Sequence, residues 1–204
     1  MSDSESRDLP VDDGEPGLWS RLVVRAVAGE SDAIETLITG VRTRVHRYCR
    51  ARLRGYPGAE SAADDVAQEV CVAVLTALPR YEDTGRPFEA FVFRVAGFKV
   101  ADAQRQLLGR EQPVGEVPDS EALSLADSPE RSAVVSTEAD RVTRAMEQLP
   151  GQQREVLIMR VAVGMSTAET AAALGMSPGG VRVTQHRALT RLRALVGAGS
   201  QEDA

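Results

Sequence analysis

Ser166-Thr167-Ala168-Glu169-Thr170-Ala171-Ala172-Ala173-Leu174-Gly175-Met176-Ser177-Pro178-Gly179-Gly180-Val181-Arg182 is the stretch whose punctuation decides the fold. Ser166 followed three residues later by Glu169 has the form of a capping box, so a helix is predicted over Thr167 to Leu174. Gly175 suits the left-handed residue that stops it. Ser177 can then cap a second helix that has Pro178 at its first position. Two short helices around a tight turn make a helix-turn-helix. In the second helix Val181, Ala188, Leu192 and Leu195 share one stripe, whereas Arg182, His186 and Arg193 fall opposite, with Arg187 beside them. One side packs, and the other is free to enter a major groove. An ordinary helical hairpin with a solvated face is the bland alternative. Against it stands the absence of any acidic residue from Ser177 to Gly197.

Upstream of this motif no convincing period-two strand occurs, and the chain reads as all-α. Apolar residues at three- and four-residue spacing predict helices over Leu18 to Ala28, Ser31 to Leu53, Ala62 to Leu78, Pro87 to Leu108, Glu138 to Leu149 and Gln152 to Val163. Ser61 and Asp64 have capping-box spacing before the third, and Pro79 follows its end.

Charge divides the chain. Residues 1–17 carry six acids and one base, and residues 111–137 again six acids and one base. Both segments are rich in Pro, Gly, Ser and Asp and lack helical periodicity, so they read as a disordered tail and an acidic linker. Two slightly basic units remain, 18–110 and 138–197, followed by a short tail, 198–204. Val41 to Gly55 holds six arginines and no acid, and Ser177 to Gly197 four. A solvated face explains one such run; two in a chain of net charge -6 point to phosphate contact.

The four phenylalanines all lie between Phe88 and Phe98. Phe88, Phe91, Val95 and Phe98 follow helical spacing and read as core. Phe93 lies off that stripe, on a helix that also carries Arg94, Lys99 and Arg105, as a surface binding a single strand requires. Asp65, Gln68, Glu69, Val72 and Thr76 line one face of the third predicted helix. That acidic face is unsuited to DNA and suited to a basic protein partner.

Other classes of function are poorly served. Two cysteines and two histidines are too few for a disulfide framework or a zinc site of known spacing, and no cofactor is expected. His46 and Cys49 have no third partner for nucleophilic catalysis. No run approaches the roughly 18 apolar residues of a membrane span, and the acidic start is unlike an export signal. A soluble, cytoplasmic, non-enzymatic protein is expected.

At the level of whole motifs, Asp64-Asp65-Val66-Ala67-Gln68-Glu69-Val70, Leu78-Pro79-Arg80-Tyr81, Phe88 through Arg105, Leu149-Pro150, Gln153 to Leu157 and the helix-turn-helix occur in an order that resembles bacterial sigma-70 family sigma factors. The resemblance is to their extracytoplasmic-function group, and within it to an actinobacterial subgroup that includes mycobacterial sigma factor D. It implies that the first unit binds the beta-prime clamp of core RNA polymerase through Asp64, Asp65, Gln68, Glu69 and Val72. The same unit would melt and hold the minus-ten element through Arg86, Phe93, Arg94, Phe98, Lys99 and Arg105. Phe98 stands where many relatives have Asn.

For the second unit the resemblance implies contact with the beta flap and readout of the minus-thirty-five element. Ser177, Arg182, Thr184, Gln185, His186 and Arg187 would meet it near the start of the recognition helix, and Arg191 and Arg193 further along. Many relatives have an anti-sigma partner, although neither surface of this chain reveals one. The linker would have to span two promoter elements about 70 Å apart, against about 30 Å for a free coil, so it is expected to run extended through the polymerase, with the two units mobile in the free protein. The competing reading is a stand-alone helix-turn-helix regulator, in which the acidic helix face and clustered phenylalanines have no role.

Overall fold

Helix α1, Leu18–Val27, places Trp19, Val23 and Ala26 inward. Gly29, at a φ of 87°, turns the chain into α2, Ser31–Leu53. The structure, a computed structural model, describes residues 18–109 and 138–202. The acidic tail and the acidic linker expected over 1–17 and 111–137 lie outside them.

Helix α2 is the axis of the first unit. Its buried residues Ala33, Leu37, Val41, Val45, Tyr48 and Leu53 recur at three- to five-residue intervals, so the stripe stays inward over the whole helix. Packing is tight at Gly40: a Cβ there would sit 3.0 Å from the Trp19 indole nitrogen, so the indole would have to shift by a few tenths of an ångström. Helix α3 spans Ala59–Ala77, a 3₁₀ turn Leu78–Arg80 follows, and α4 spans Phe88–Leu107. The four helices enclose one aliphatic core that is edged by Trp19, Phe88 and Phe93.

Two expectations are corrected in this region. Helix α3 begins earlier than Ala62, because Gly58 adopts a left-handed φ of 70° and its carbonyl accepts from Ala62 N. The Ser61 and Asp64 capping box therefore does not form, and Asp64 instead faces His46 at 2.8 Å. Pro79 lies within the 3₁₀ turn, where its missing N–H is no loss.

The second unit comprises α5 (Glu138–Glu147), α6 (Gly151–Leu157) continuing as a π-helical segment (Ile158–Val163), α7 (Thr167–Leu174) and α8 (Pro178–Glu202). Arg154 satisfies the end of α5, donating to the carbonyls of Met146, Glu147 and Leu149 at 2.6–3.1 Å. The helix-turn-helix forms as its punctuation predicts. Glu169 N donates to Ser166 Oγ, Ser166 N donates to the Glu169 carboxylate, and Gly175 is left-handed at φ 64°. Ser177 Oγ accepts from Gly180 N.

The two units differ from the expected pair of mobile bodies: they share a core. Ile158, Met159, Val163 and Met165 of the π segment and the turn after it are buried together with the aliphatic residues of α1–α4. The π segment packs on α2, and α7 packs on α4.

Candidate nucleic-acid interface

Helix α3 presents Asp64, Asp65, Gln68, Glu69, Val72 and Thr76 to solvent while Ala63, Val66, Val70 and Val74 are buried. Val72 is 56% exposed, and Leu75, which the sequence reading passed over, is 41% exposed. Two large apolar side chains within an acidic face suit a protein partner that supplies both basic and apolar groups. The spacing of Leu75 three residues after Val72 was the available signal.

Helix α4 is rotated relative to expectation. Phe93 is fully buried and meets the Tyr48 ring edge-on at 5.5 Å, so its role is packing and it is removed from the strand-binding set. Only Phe88 of the expected core stripe is fully inside. Phe91, Arg94, Val95, Phe98 and Lys99 share the half-exposed face, at spacings of three and four. Phe91 joins Phe88 and Tyr81 in an aromatic cluster with centroids 5.0–5.8 Å apart. Arg86 is exposed in the turn before α4, and Arg105 is exposed and paired with Asp102. Lys99 reaches Glu69 at 2.8 Å, so the acidic face of α3 and the aromatic, basic face of α4 are contiguous.

On α8, Val181 and Ala188 are buried, whereas Arg182, His186, Arg187, Arg191 and Arg193 are exposed. Ser177 is exposed with its hydroxyl engaged as a cap. Thr184 and Gln185 are half-buried, and Gln185 accepts from Arg160 Nε at 3.1 Å, which braces the recognition helix against the π segment. Val183 and Thr190 add to the exposed face and were not expected there.

The basic stretch Val41 to Gly55 is only partly exposed. Arg52 Nη1 donates to the Glu155 carboxylate at 3.0 Å, and Tyr48 Oη donates to its other oxygen at 2.6 Å. Burial first, and then the Glu155 charge, pushes the Tyr48 phenol well above its ordinary range, which keeps it a donor. Arg44 stacks over Trp19 and lies 3.4 Å from Glu169 and 4.0 Å from Glu89. Arg47, Arg50 and Arg54 line an open cleft beside Ala162.

Glu89 and Glu169 form a carboxyl pair with one arginine. Burial, reinforced by the charge of Glu169, raises Glu89 to about 7. For Glu169, burial is outweighed by Ser166 N–H, the proton of Glu89 and the charge of Arg44, and its pKa is lowered. Folded Glu89 keeps a proton that the unfolded chain releases near 4.5, so its contribution to stability is complete below that value and is lost as pH rises to about 7. Denaturant titrations should show stability falling by about 2 kcal/mol between roughly pH 5 and pH 8. Glu89→Gln should remove most of that slope. The contribution of Glu169, with its lowered pKa, is lost only at acid pH and is separable.

Cysteine chemistry has no support here. Burial pushes the Cys49 thiol up to about 12, and His46 is engaged with Asp64. Among the described residues no group of three potential metal ligands occurs, and no helix is long and apolar enough to cross a membrane.

A four-helix unit with contiguous acidic and aromatic-basic faces, followed by a helix-turn-helix unit, defines a DNA-binding transcription factor of the sigma type. Residues 37–109 match the family described as Sigma-70 region 2, and residues 139–192 that described as Sigma-70, region 4. The chain is similar to the ECF RNA polymerase sigma factor ShbA of Streptomyces griseus, at 51% identity over 90% of this chain and 97% of that protein. It is 48% identical to the ECF RNA polymerase sigma factor SigD of Mycobacterium tuberculosis, over 87% of this chain and 84% of that one. A solved structure of CnrH in complex with the cytosolic domain of CnrY matches with a TM-score of 0.57 at 29% identity, covering 87% of this chain and 96% of that one. The protein belongs to the ECF sigma factors of the sigma-70 family, and it directs promoter-specific transcription initiation by RNA polymerase.

Proposed function

We propose that the work of initiation is divided along the surfaces described above. The exposed α3 face, from Asp64 to Thr76 with Leu75 added, binds the beta-prime clamp of core polymerase. Phe91, Arg94, Val95, Phe98 and Lys99, with Arg86 and Arg105 at either end, hold the melted minus-ten strand. Arg182, His186 and Arg187 read base edges of the minus-thirty-five duplex, while Arg191 and Arg193 meet its phosphates. The second unit also meets the beta flap, and the chain acts in the cytoplasm as a subunit without catalysis of its own. An anti-sigma partner is part of the same proposal: CnrH is described in complex with the cytosolic domain of CnrY.

The observation that supports this reading is the Glu69–Lys99 contact, which sets the acidic face of α3 beside the aromatic, basic face of α4. A stand-alone regulator has no use for the first of these. In vitro transcription with purified core enzyme on genomic fragments tests it: initiation at defined starts that depends on this protein is the expected result. In the same assay Arg182→Ala should relax preference at one minus-thirty-five position by roughly 1 to 3 kcal/mol. Arg193→Ala should weaken all promoters alike. Identical promoter-library profiles for wild type and Arg182→Ala would remove Arg182 from base readout.

A further inference from the structure

Arg160 stands on the π segment, outside the recognition helix, yet it is tied to that helix and to the turn before α7. Its Nε donates to Gln185 Oε1 of α8 at 3.1 Å, and its Nη1 donates to the Met165 carbonyl. Met165 immediately precedes the Ser166 cap of α7, and its own N–H donates to the Met159 carbonyl at 2.9 Å. Gly164, left-handed at a φ of 80°, allows the chain to turn there.

An arginine side chain has five N–H donors and no acceptor, so the amide atom facing it can only be the oxygen. The tie therefore fixes which way the Gln185 amide is turned. What remains is the Nε2 group with its two N–H donors. Among the described residues that group has no hydrogen-bond partner, and it is not enclosed by protein, so solvent reaches it. Gln185 lies three residues after Arg182 and next to His186, both exposed, which places it at the edge of the face assigned to duplex DNA.

A glutamine reads adenine when its oxygen accepts from N6 while its nitrogen donates to N7. The oxygen keeps a second lone pair in the tie, but that pairing needs oxygen and nitrogen to face the base together, and here the oxygen faces Arg160. Guanine suits a donor group better, because its major-groove edge offers two acceptors, O6 and N7, and no donor. The Arg160 charge also polarises the amide, which strengthens its N–H groups as donors.

We propose that Arg160 is a positioning residue that sets specificity in minus-thirty-five readout: by holding Gln185 Oε1 it makes Gln185 a reader of guanine rather than adenine. The inference rests on the assignment of α8 to that element. Arg160 touches no base and acts through the amide.

Initiation by the full-length protein with core polymerase, from a promoter library randomised across the minus-thirty-five element, tests it. Gln185→Ala identifies the position that Gln185 reads, as the one whose preference is lost. There the wild type should prefer a G·C pair. Arg160→Met frees the amide to turn, so the ratio of G·C to A·T at that position should fall at least about fivefold. Arg160→Lys keeps a donor against Oε1 and should retain the wild-type preference. A brace with no part in readout would weaken every sequence alike and leave the profile unchanged. That outcome, or a wild-type preference for A·T at the position, would overturn the proposal.

Gln185→Glu gives a second arm that does not depend on Arg160→Met folding. The carboxylate keeps the length and the Arg160 contact but has no donor, so use of G·C at the same position should fall at least about fivefold with the thermal midpoint held. Retained use of G·C would count against a donor-only role. Arg182→Ala separates the two kinds of failure. If it alters the profile and Gln185→Ala does not, α8 reads the element and the role given to Gln185 is wrong; if neither does, the assignment of α8 is wrong as well.

Discussion

Asp65→Arg combined with Glu69→Arg is expected to abolish binding to core RNA polymerase while leaving the helices intact. Both carboxylates are exposed on the same face of α3, so neither substitution disturbs the core formed by Val66, Val70 and Val74. At the partner surface the change replaces attraction by like-charge repulsion, a difference of several kcal/mol and thus at least about a hundredfold in affinity. Glu69→Arg also sets two cations side by side, because Glu69 is the partner of Lys99 in the free protein. Co-purification of the double variant with core enzyme, scored against circular dichroism, checks the expectation. Retention at the wild-type level would move the polymerase contact elsewhere. Val72→Ser with Leu75→Ser, tested alongside, separates the apolar part of the contact from the charged part.

Phe93→Ala and Phe98→Ala should separate two kinds of aromatic on one helix. Phe93 is fully buried against Tyr48, so its loss leaves a cavity and is expected to destabilise the chain by about 3 to 5 kcal/mol. In a chain of this length that lowers the thermal midpoint by at least about 6 °C. Because Tyr48 is also a donor to Glu155, the damage should spread to the joint between the units. Phe98→Ala, at a half-exposed position, should leave stability within about 0.5 kcal/mol of wild type. Thermal denaturation of the two variants measures both effects. A stable Phe93→Ala protein with normal melting would contradict the burial assigned to it.

The contrast between these two phenylalanines shows what kind of information each level carries. Local chemistry determined the helix-turn-helix: the Ser166 and Glu169 reciprocal cap, the left-handed Gly175 and the Ser177 cap each close hydrogen bonds within a few residues. The α3 face was equally legible, because one side of its period is acidic and the other aliphatic. Helix α4 carries apolar residues on every side, so its hydrophobic period is degenerate and does not say which face turns inward. That was settled by Tyr48 of α2, which occupies the space beside Phe93. The start of α3 was misplaced because the left-handed Gly58 stopped the preceding turn before Ser61 could act as a cap.

The joint between the units lay wholly outside the reach of sequence pattern. Tyr48 and Arg52 meet Glu155 across 107 and 103 residues, and Arg44 meets Glu169 across 125. Glu155 beside Val156 to Met159, and Glu89 within the phenylalanine run, were visible as acids in apolar company, but nothing local names their partners. Composition placed arginine in Val41 to Gly55; only tertiary packing turned Arg44 and Arg52 towards buried carboxylates and left Arg47, Arg50 and Arg54 at the surface. The sequence by itself determined the elements and the polar faces they present, since caps and periodicity act within a few turns of chain. The tertiary structure decided which of those faces meet, because burying a charge is tolerable only where a specific distant partner satisfies it.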